Sequence, residues 1–553
     1  MGHLLFYLFV VTACLLWSAA FIAAAARTER PWLQWLLAAV AVLAPPLGLA
    51  PWVVVTAGLI RMNLVTNWFA PTLMALIAAI VGGLWVAVAG LSRRPAGGSR
   101  VAAAWPVVGL AAMFVMAKAV AFGTLLFIDN AVAAEGRMLR IEAAQIMATA
   151  LPPAPAPDDN AAPLYARAFA LLEADTTLRE QQSPAGDPLG ADPGSPEVAA
   201  ILARHAPGLA LLRRAADTPG CRFDRDWSRP SLGMLLPEIQ SLRGAARLLA
   251  LAARKAAAEG DRAAALAEVV RIHRLGVHAA SEPILVSSLV GQVIDTLAIE
   301  VLADVLPRLV KDDLDRLGQA GFHDFPATPL THQRAFLGEE AFGLATLADL
   351  ADCRTGASSL LGVRALSIEE PLESSLDAPL SLFYRTFLLP ADIVGYRAIM
   401  ARYQALAGSM AGTSGPSFAD ITAQADEIED TLRHRRAGIF TAIMAPALTS
   451  VVQAQLKSQA RHEAAGVLVA ATRARLASGA VPESVDALAP EWLGAVPRDP
   501  FANEEPLRWK REGDSHLVYS VGPDGEDDGG PPAPDADRSQ ANDDVGLRMA
   551  IGP

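Results

Sequence analysis

The hydrophobic pattern changes abruptly about a quarter of the way along the chain. Up to Ile128 apolar residues run almost unbroken; beyond it they recur at helical spacing between charged positions. A helix of about 20 apolar residues crosses a hydrocarbon core. Four runs reach that length: Leu4–Ala26, Trp32–Ile60, Trp68–Leu91 and Val101–Ile128. Pro45, Pro46 and Pro51 interrupt the second, and their missing backbone donors predict a kink or re-entrant turn there. The first run lacks a basic start and is too long for the apolar stretch of a signal peptide, so it reads as a span.

Loop charge sets the orientation of such spans. Arg27 and Arg30 mark the first loop, Arg61 alone the second, and Arg93, Arg94 and Arg100 the third. The basic loops belong in the cytoplasm, so the four spans predict a multi-pass protein of the cell (inner) membrane whose residues after Ile128 are extracytoplasmic. Lys118 falls in the fourth run. It reads as an interfacial residue with its stem along the apolar surface. The competing reading makes it a functional intramembrane charge, which would suit a small transporter or sensor. Gly83 and Ala87, four apart, permit close helix packing.

Beyond the spans, "AEGRMLRIEAAQIMATA" has amphipathic helical spacing, and the prolines of "LPPAPAPDDN" end it. Residues 131–160 therefore read as a linker out of the 1–130 membrane domain. Residues 161–436 read as an irregular helical domain. "AAPLYARAFALLEAD" opens it, and two helices follow, joined at "EGDR", with Gly260 closing one and Asp261 starting the next. Further helices are predicted at Ile284–Leu309, Leu337–Asp352, Leu380–Ala407 with a break at Pro390, and Phe418–Arg436. The helix, Gly-Asp turn, helix pattern weakly resembles one tetratricopeptide-type hairpin, but no fixed repeat period supports a solenoid.

The net charge of −12 argues against nucleic acid as a partner, since phosphate contacts need a basic face. Cys14, Cys221 and Cys353 make no framework; Cys221 and Cys353 could pair outside the cytoplasm or stay separate thiols. His273 and His278 are five apart and fall on different helix faces. His323, Asp324 and His332 could meet in a loop. "RHEAAG" lacks the second histidine of a zinc-protease helix, and the sequence holds no GxSxG, Walker or GxGxxG motif. "CRFDRDW", from Cys221, reads as a structural turn. The expectation is a non-enzyme with no catalytic residues, a membrane lipid environment and a protein partner in the cell envelope.

Residues 437–553 follow a different grammar. A long helix, kinked at Pro446 and closed by Gly479, leads into "VPESVDALAPEWLGAVPRDPF", then the strand-like "LRW" and "LVYS", then "GPDGEDDGG" and an acidic tail. This order resembles the globular part of the major pseudopilin of type II secretion systems. The resemblance covers about the last hundred residues. The leader and processing site of that family are missing in front of the module, so the resemblance implies the fold but not filament assembly. It implies a small α+β module, a role related to secretion or envelope assembly, and an acidic calcium loop. In the sequence itself, Asp524, Glu526 and Asp528 alternate and Gly529 follows, as in the ligand positions of a calcium loop. Asp535 would stand where an EF-hand has its bidentate Glu, and Asp537, Asp543 and Asp544 are later acids able to close the loop. The competing reading is a solvated turn, because Gly, Pro and Asp cluster there without a metal. The expected whole is a mainly α membrane protein with four transmembrane helices, an irregular extracytoplasmic helical domain and a pseudopilin-like α+β module.

Overall fold

Helices dominate the computed structural model, which describes residues 30, 32, 131–173, 192–230, 234, 236–317, 329–352, 384–409, 417–434, 437–445, 448–502, 505–532 and 542–550. All four expected spans, and Lys118, lie outside the described residues apart from Arg30 and Trp32. Two compact units divide the chain. One comprises Met1–Glu142, Gly343–Ala398 and Thr431–Ala445; the other comprises Ala143–Phe342, Ile399–Asp430 and Pro446–Pro553.

In chain order the helices are α1 (residues 131–150), α2 (Ala162–Glu173), α3 (Pro196–Arg204), α4 (Ala206–Ala216), α5 (Glu238–Ala258), α6 (Arg262–Ala279), α7 (Leu285–Val305) and α8 (Lys311–Leu317). Then come α9 (Pro329–Asp352), α10 (Leu389–Ser409), α11 (Phe418–Arg433), α12 (Ile439–Met444) and α13 (Leu448–Ser478). A π turn at Tyr384–Leu388 runs directly into α10, so the helical pitch changes just before Pro390 and the chain continues as helix through it, where a break was expected. Short β1 (Arg508–Glu512), β2 (Ser515–Ser520) and β3 (Val545–Ala550) complete the chain. The helical domain and the small sheet agree with the expected mainly α chain ending in α+β structure.

The second unit is built on α5, α6 and α7. At the α5–α6 turn the Asp261 side chain accepts the Ala264 N–H at 3.0 Å, as expected of a helix start. α6 and α7 cross at glycines. A Cβ on Gly276 would meet the Gly291 carbonyl oxygen at 2.9 Å, and one on Gly291 would meet the Gly276 oxygen at 2.6 Å. Only glycine allows two helix backbones this close. α7 is so apolar that, with the turn after it, Leu285–Arg308 is the single stretch among the described residues long and apolar enough to cross a membrane. It is a core helix here: 56% of its apolar window is buried, and Val290, Ile294, Ala298, Ile299 and Val301 belong to the main core.

The three strands form one antiparallel sheet in the order β1-β2-β3, with Trp509 opposite Val518 and Val518 opposite Leu547. β3 alternates Val545, Leu547 and Met549 inward. Leu547 and Met549 lie with Ala464, Val467, Leu468 and Ala471 of α13 in the same core that holds α5, α6 and α7. The helical hairpins and the C-terminal sheet therefore share one interior.

In the first unit Asp392 organises the described part. Its carboxylate accepts the Thr441 N–H at 3.1 Å and the Tyr384 hydroxyl at 2.7 Å. Arg140 of α1 pairs with Asp349 and Asp352 of α9.

Candidate functional site

The acidic loop follows β2 directly. β2 ends at Ser520, whose hydroxyl donates to Asp499 Oδ1 at 2.6 Å; the Val521 N–H donates to Asp499 Oδ2 at 3.0 Å and the Phe501 N–H to Oδ1 at 2.9 Å. Asp499 is the acid of "PRDPF". It is 2% exposed, and it fastens that turn to the end of the central strand.

The loop then turns back on the sheet. Asp524 accepts the Glu526 N–H at 3.2 Å, a local turn bond, and Asp524, Glu526 and Asp528 are all exposed. The acid that engages the sheet is Asp527. Its carboxylate accepts the Tyr519 hydroxyl at 3.0 Å, Arg508 Nε at 3.2 Å and the Gly529 N–H at 3.0 Å. Partial burial opposes its charge, but these three donors hold the carboxyl below its ordinary range. Burial and Asp527 together push the Tyr519 hydroxyl up to about 12.

Gly530 ends the loop and is held at both backbone groups by the strand that returns. Its N–H donates to Asp544 Oδ2 at 2.7 Å, and its carbonyl accepts Asn542 Nδ2 at 3.0 Å. The second carboxylate oxygen of Asp544, Oδ1, and the amide oxygen of Asn542, Oδ1, are buried with no hydrogen-bond partner among the described residues. Asp544 is only 6% exposed. Burial raises its carboxyl pKa; the Gly530 N–H opposes this, and the charges of Asp527, Asp528 and Asp524 add to it. Buried orphan oxygens in a negative field suit a hard cation, which takes carboxylate and amide oxygens.

Of the described acids expected to bind calcium, Asp544 alone has this character. Asp543 lies 3.7 Å from Lys457 Nζ. Asp535 and Asp537 lie outside the described residues. Among the described residues no three His, Cys, Asp or Glu side chains are gathered at metal-binding spacing. Sequence reasoning missed Asp527 and Asn542. Asn542 carries no charge to flag it, and Asp527 fell between the alternating positions.

Cys221, Arg225, His273 and His278 are held as follows. Among the described residues Cys221 is a buried free thiol, pushed up to about 12 by burial and by Glu282; Cys353, its candidate partner, lies outside the described residues. In "CRFDRDW" the Arg225 guanidinium pairs with both Glu238 and Glu282, all three buried, and lies over the Phe223 and Trp227 rings. His273 and His278 do face different ways: one meets Asp295 of α7, the other Tyr165 of α2. His323 and Asp324 lie outside the described residues, as does the side chain of His332. No family model, curated protein or solved structure matches the chain.

Proposed function

We propose that the chain is a non-enzymatic, membrane-anchored scaffold whose extracytoplasmic part presents a rigid helical body and a calcium-stabilised C-terminal sheet to a protein partner of the cell envelope. Four apolar runs before Ile128 supply the anchor. Titratable groups in the second unit are spent on joining elements: Arg225 joins the approach to α5 to the α6–α7 turn, and Asp499 joins two loops of the C-terminal region. This use of buried charge suits a body that holds a shape.

The observation that carries the calcium reading is the pair of oxygens at Asp544 and Asn542, buried beside the acidic loop without a partner among the described residues. Asp544 and Asn542 would hold the ion from the β3 side, with Asp524 and Asp528 supplying charge from the loop. The test is thermal unfolding of the full-length protein in detergent micelles against calcium. Ion at 100 times its Kd stabilises the folded state by about 2.7 kcal/mol, so the melting midpoint should climb across about 0.1–10 mM calcium. Asp544→Asn should abolish the climb. It should also leave the calcium-free midpoint equal to or above that of the parent, because it removes a repelled charge. A flat response of the parent protein at millimolar calcium overturns the metal reading and leaves a solvated turn.

A further inference from the structure

Exposed apolar side chains are concentrated in the first unit. Among the described residues Trp32, Met138, Ile141, Val394 and Ile443 of that unit are each more than half exposed. In the second unit, whose described part is several times larger, only Val277 and Val293 reach that level among the large apolar side chains. A single exposed valine is ordinary, but a concentration marks a surface with an apolar neighbour.

Four of the five sit on elements tied to one another. α1 lays one side on α9: a Cβ on Gly136 would meet Ala351 Cβ at 2.8 Å, and Leu139 is buried. Met138 and Ile141, three apart, share the exposed side of α1. Glu142, next to Ile141, pairs with Arg397 of α10, three residues from Val394. α10 in turn holds α12. A Cβ on Gly395 would lie on the Ala437 carbonyl, the Tyr396 and Phe440 rings meet at 6.2 Å, and Asp392 caps α12. Phe440 is buried there and Ile443 exposed.

Chain connection and charge say what covers these side chains. α1 begins at residue 131, and the fourth apolar run ends at Ile128. Asp129 and Asn130, between them, are residue types that start helices rather than continue them, so α1 is free to leave the direction of the run. The chain leading to α12 reads "RHRRAG", and α12 itself carries no charged residue. Arg433 and His434 of that stretch are exposed, as is Arg137 beside Met138. Basic side chains around an exposed apolar face suit anionic headgroups above an apolar interior.

We infer that α1, α10 and α12 lie on the extracytoplasmic face of the membrane. Met138, Ile141, Val394 and Ile443 enter the boundary between headgroups and acyl chains, and Arg137 and Arg433 meet anionic headgroups. The inference rests on the membrane-anchor reading and adds a second set of lipid contacts outside the four runs.

The test uses the full-length protein in vesicles of phosphatidylethanolamine and phosphatidylglycerol. Cys14 and Cys353 are replaced by serine. Cys221 stays, because its thiol is buried and pushed up to about 12, which leaves it unreactive at neutral pH. A fluorophore is placed on single cysteines: Met138→Cys, Ile141→Cys, Val394→Cys and Ile443→Cys, with Val277→Cys and Val293→Cys as water-facing controls and Ala112→Cys in the fourth run. A nitroxide carried by the lipid near its headgroup should quench the first four at least about twofold more than the two controls. Dissolved iodide should show the reverse order. Iodide quenching the four labels as it quenches the controls overturns the inference. Protection from both quenchers also overturns it, because the cover is then protein. Ala112→Cys separates the two readings. If a nitroxide deep in the acyl chains quenches it while the four labels face water, the anchor stands and the inference falls; if it faces water itself, both fall. The unmodified protein gives an independent check. A carbene released from a diazirine at the lipid headgroup should mark residues 131–142 and 389–398 ahead of 270–295, and the opposite order overturns the inference.

Discussion

The Tyr165 hydroxyl lies 2.9 Å from Nδ1 of His278, with both side chains buried and α2 thereby tied to α6. The His278 ring also donates to the backbone at Thr218 and Pro219, so the tyrosine hydroxyl is the donor to Nδ1 and the ring is neutral. Burial lowers the ring to about 4, against the smaller upward pull of those backbone acceptors. Unfolded histidine takes its proton near 6.5. The unfolded state thus binds more protons between about 4 and 6.5, and stability falls as pH drops through that window. The loss reaches about 3 kcal/mol at its acid end. Thermal melts from pH 7 to pH 4 should show a falling midpoint, and His278→Gln should flatten it.

Arg225 carries the heaviest buried charge balance. Removing it in Arg225→Met leaves Glu238 and Glu282 buried without their cation, which costs about 3–5 kcal/mol. Burial raises the Glu282 carboxyl to about 7 even with Arg225 beside it. The folded state keeps a proton there that the unfolded chain has lost, so stability falls as pH rises from about 4.3 to 7. Without Arg225 the carboxyl rises further. Unfolding midpoints at pH 5 and pH 8 should therefore show the larger loss at pH 8.

Asp499→Ala should loosen the C-terminal sheet. It orphans the Ser520 hydroxyl and the N–H groups of Val521 and Phe501 in a buried place. A loss of about 3 kcal/mol is expected. Amide exchange should speed up first in β2 and in the acidic loop, with α5 and α6 less affected. Uniform protection across all of these elements would show that the turn is held by other contacts.

Gly438→Ala should weaken the first unit. Gly438 has φ +111 and starts α12, and a Cβ there would lie on the Asp392 carboxylate that caps that helix. Strain of about 1–3 kcal/mol is expected from the backbone alone. Limited proteolysis should cut the variant near α12 faster than the parent. Equal rates would mean that the turn can re-form around the new methyl group.

Some of the chain was legible because the decisive chemistry is local. The Gly260–Asp261 turn, the end of α13 at Ser478 before Gly479, and the strands "LRW" and "LVYS" depend on neighbours a few residues away. β3 was legible too, but was read as acidic tail. Its Val545, Leu547, Met549 alternation is a half-buried strand signal, hidden by the aspartates before it. Asp544 was named for its charge. Its distinguishing property, an oxygen buried without a partner among the described residues, arises only when the chain returns to Gly530, 14 residues back.

The sequence alone determined that the chain after residue 130 is mainly helical, where turns such as Gly260–Asp261 fall, and that the last segment is α+β, because periodicity and capping act within a turn or two of chain; it placed the start of α9 at Leu337 rather than Pro329 and did not show α3, α4 or α8. It could not determine what the buried charges do. Asp295 and His462 are far apart in the chain, in helices whose apolar faces give no sign of a shared polar point. Only the packing of α6, α7 and α13 into one core brings His273, Asp295 and His462 together. A buried charge must find its partner wherever the fold places it, since the interior offers no water in its stead.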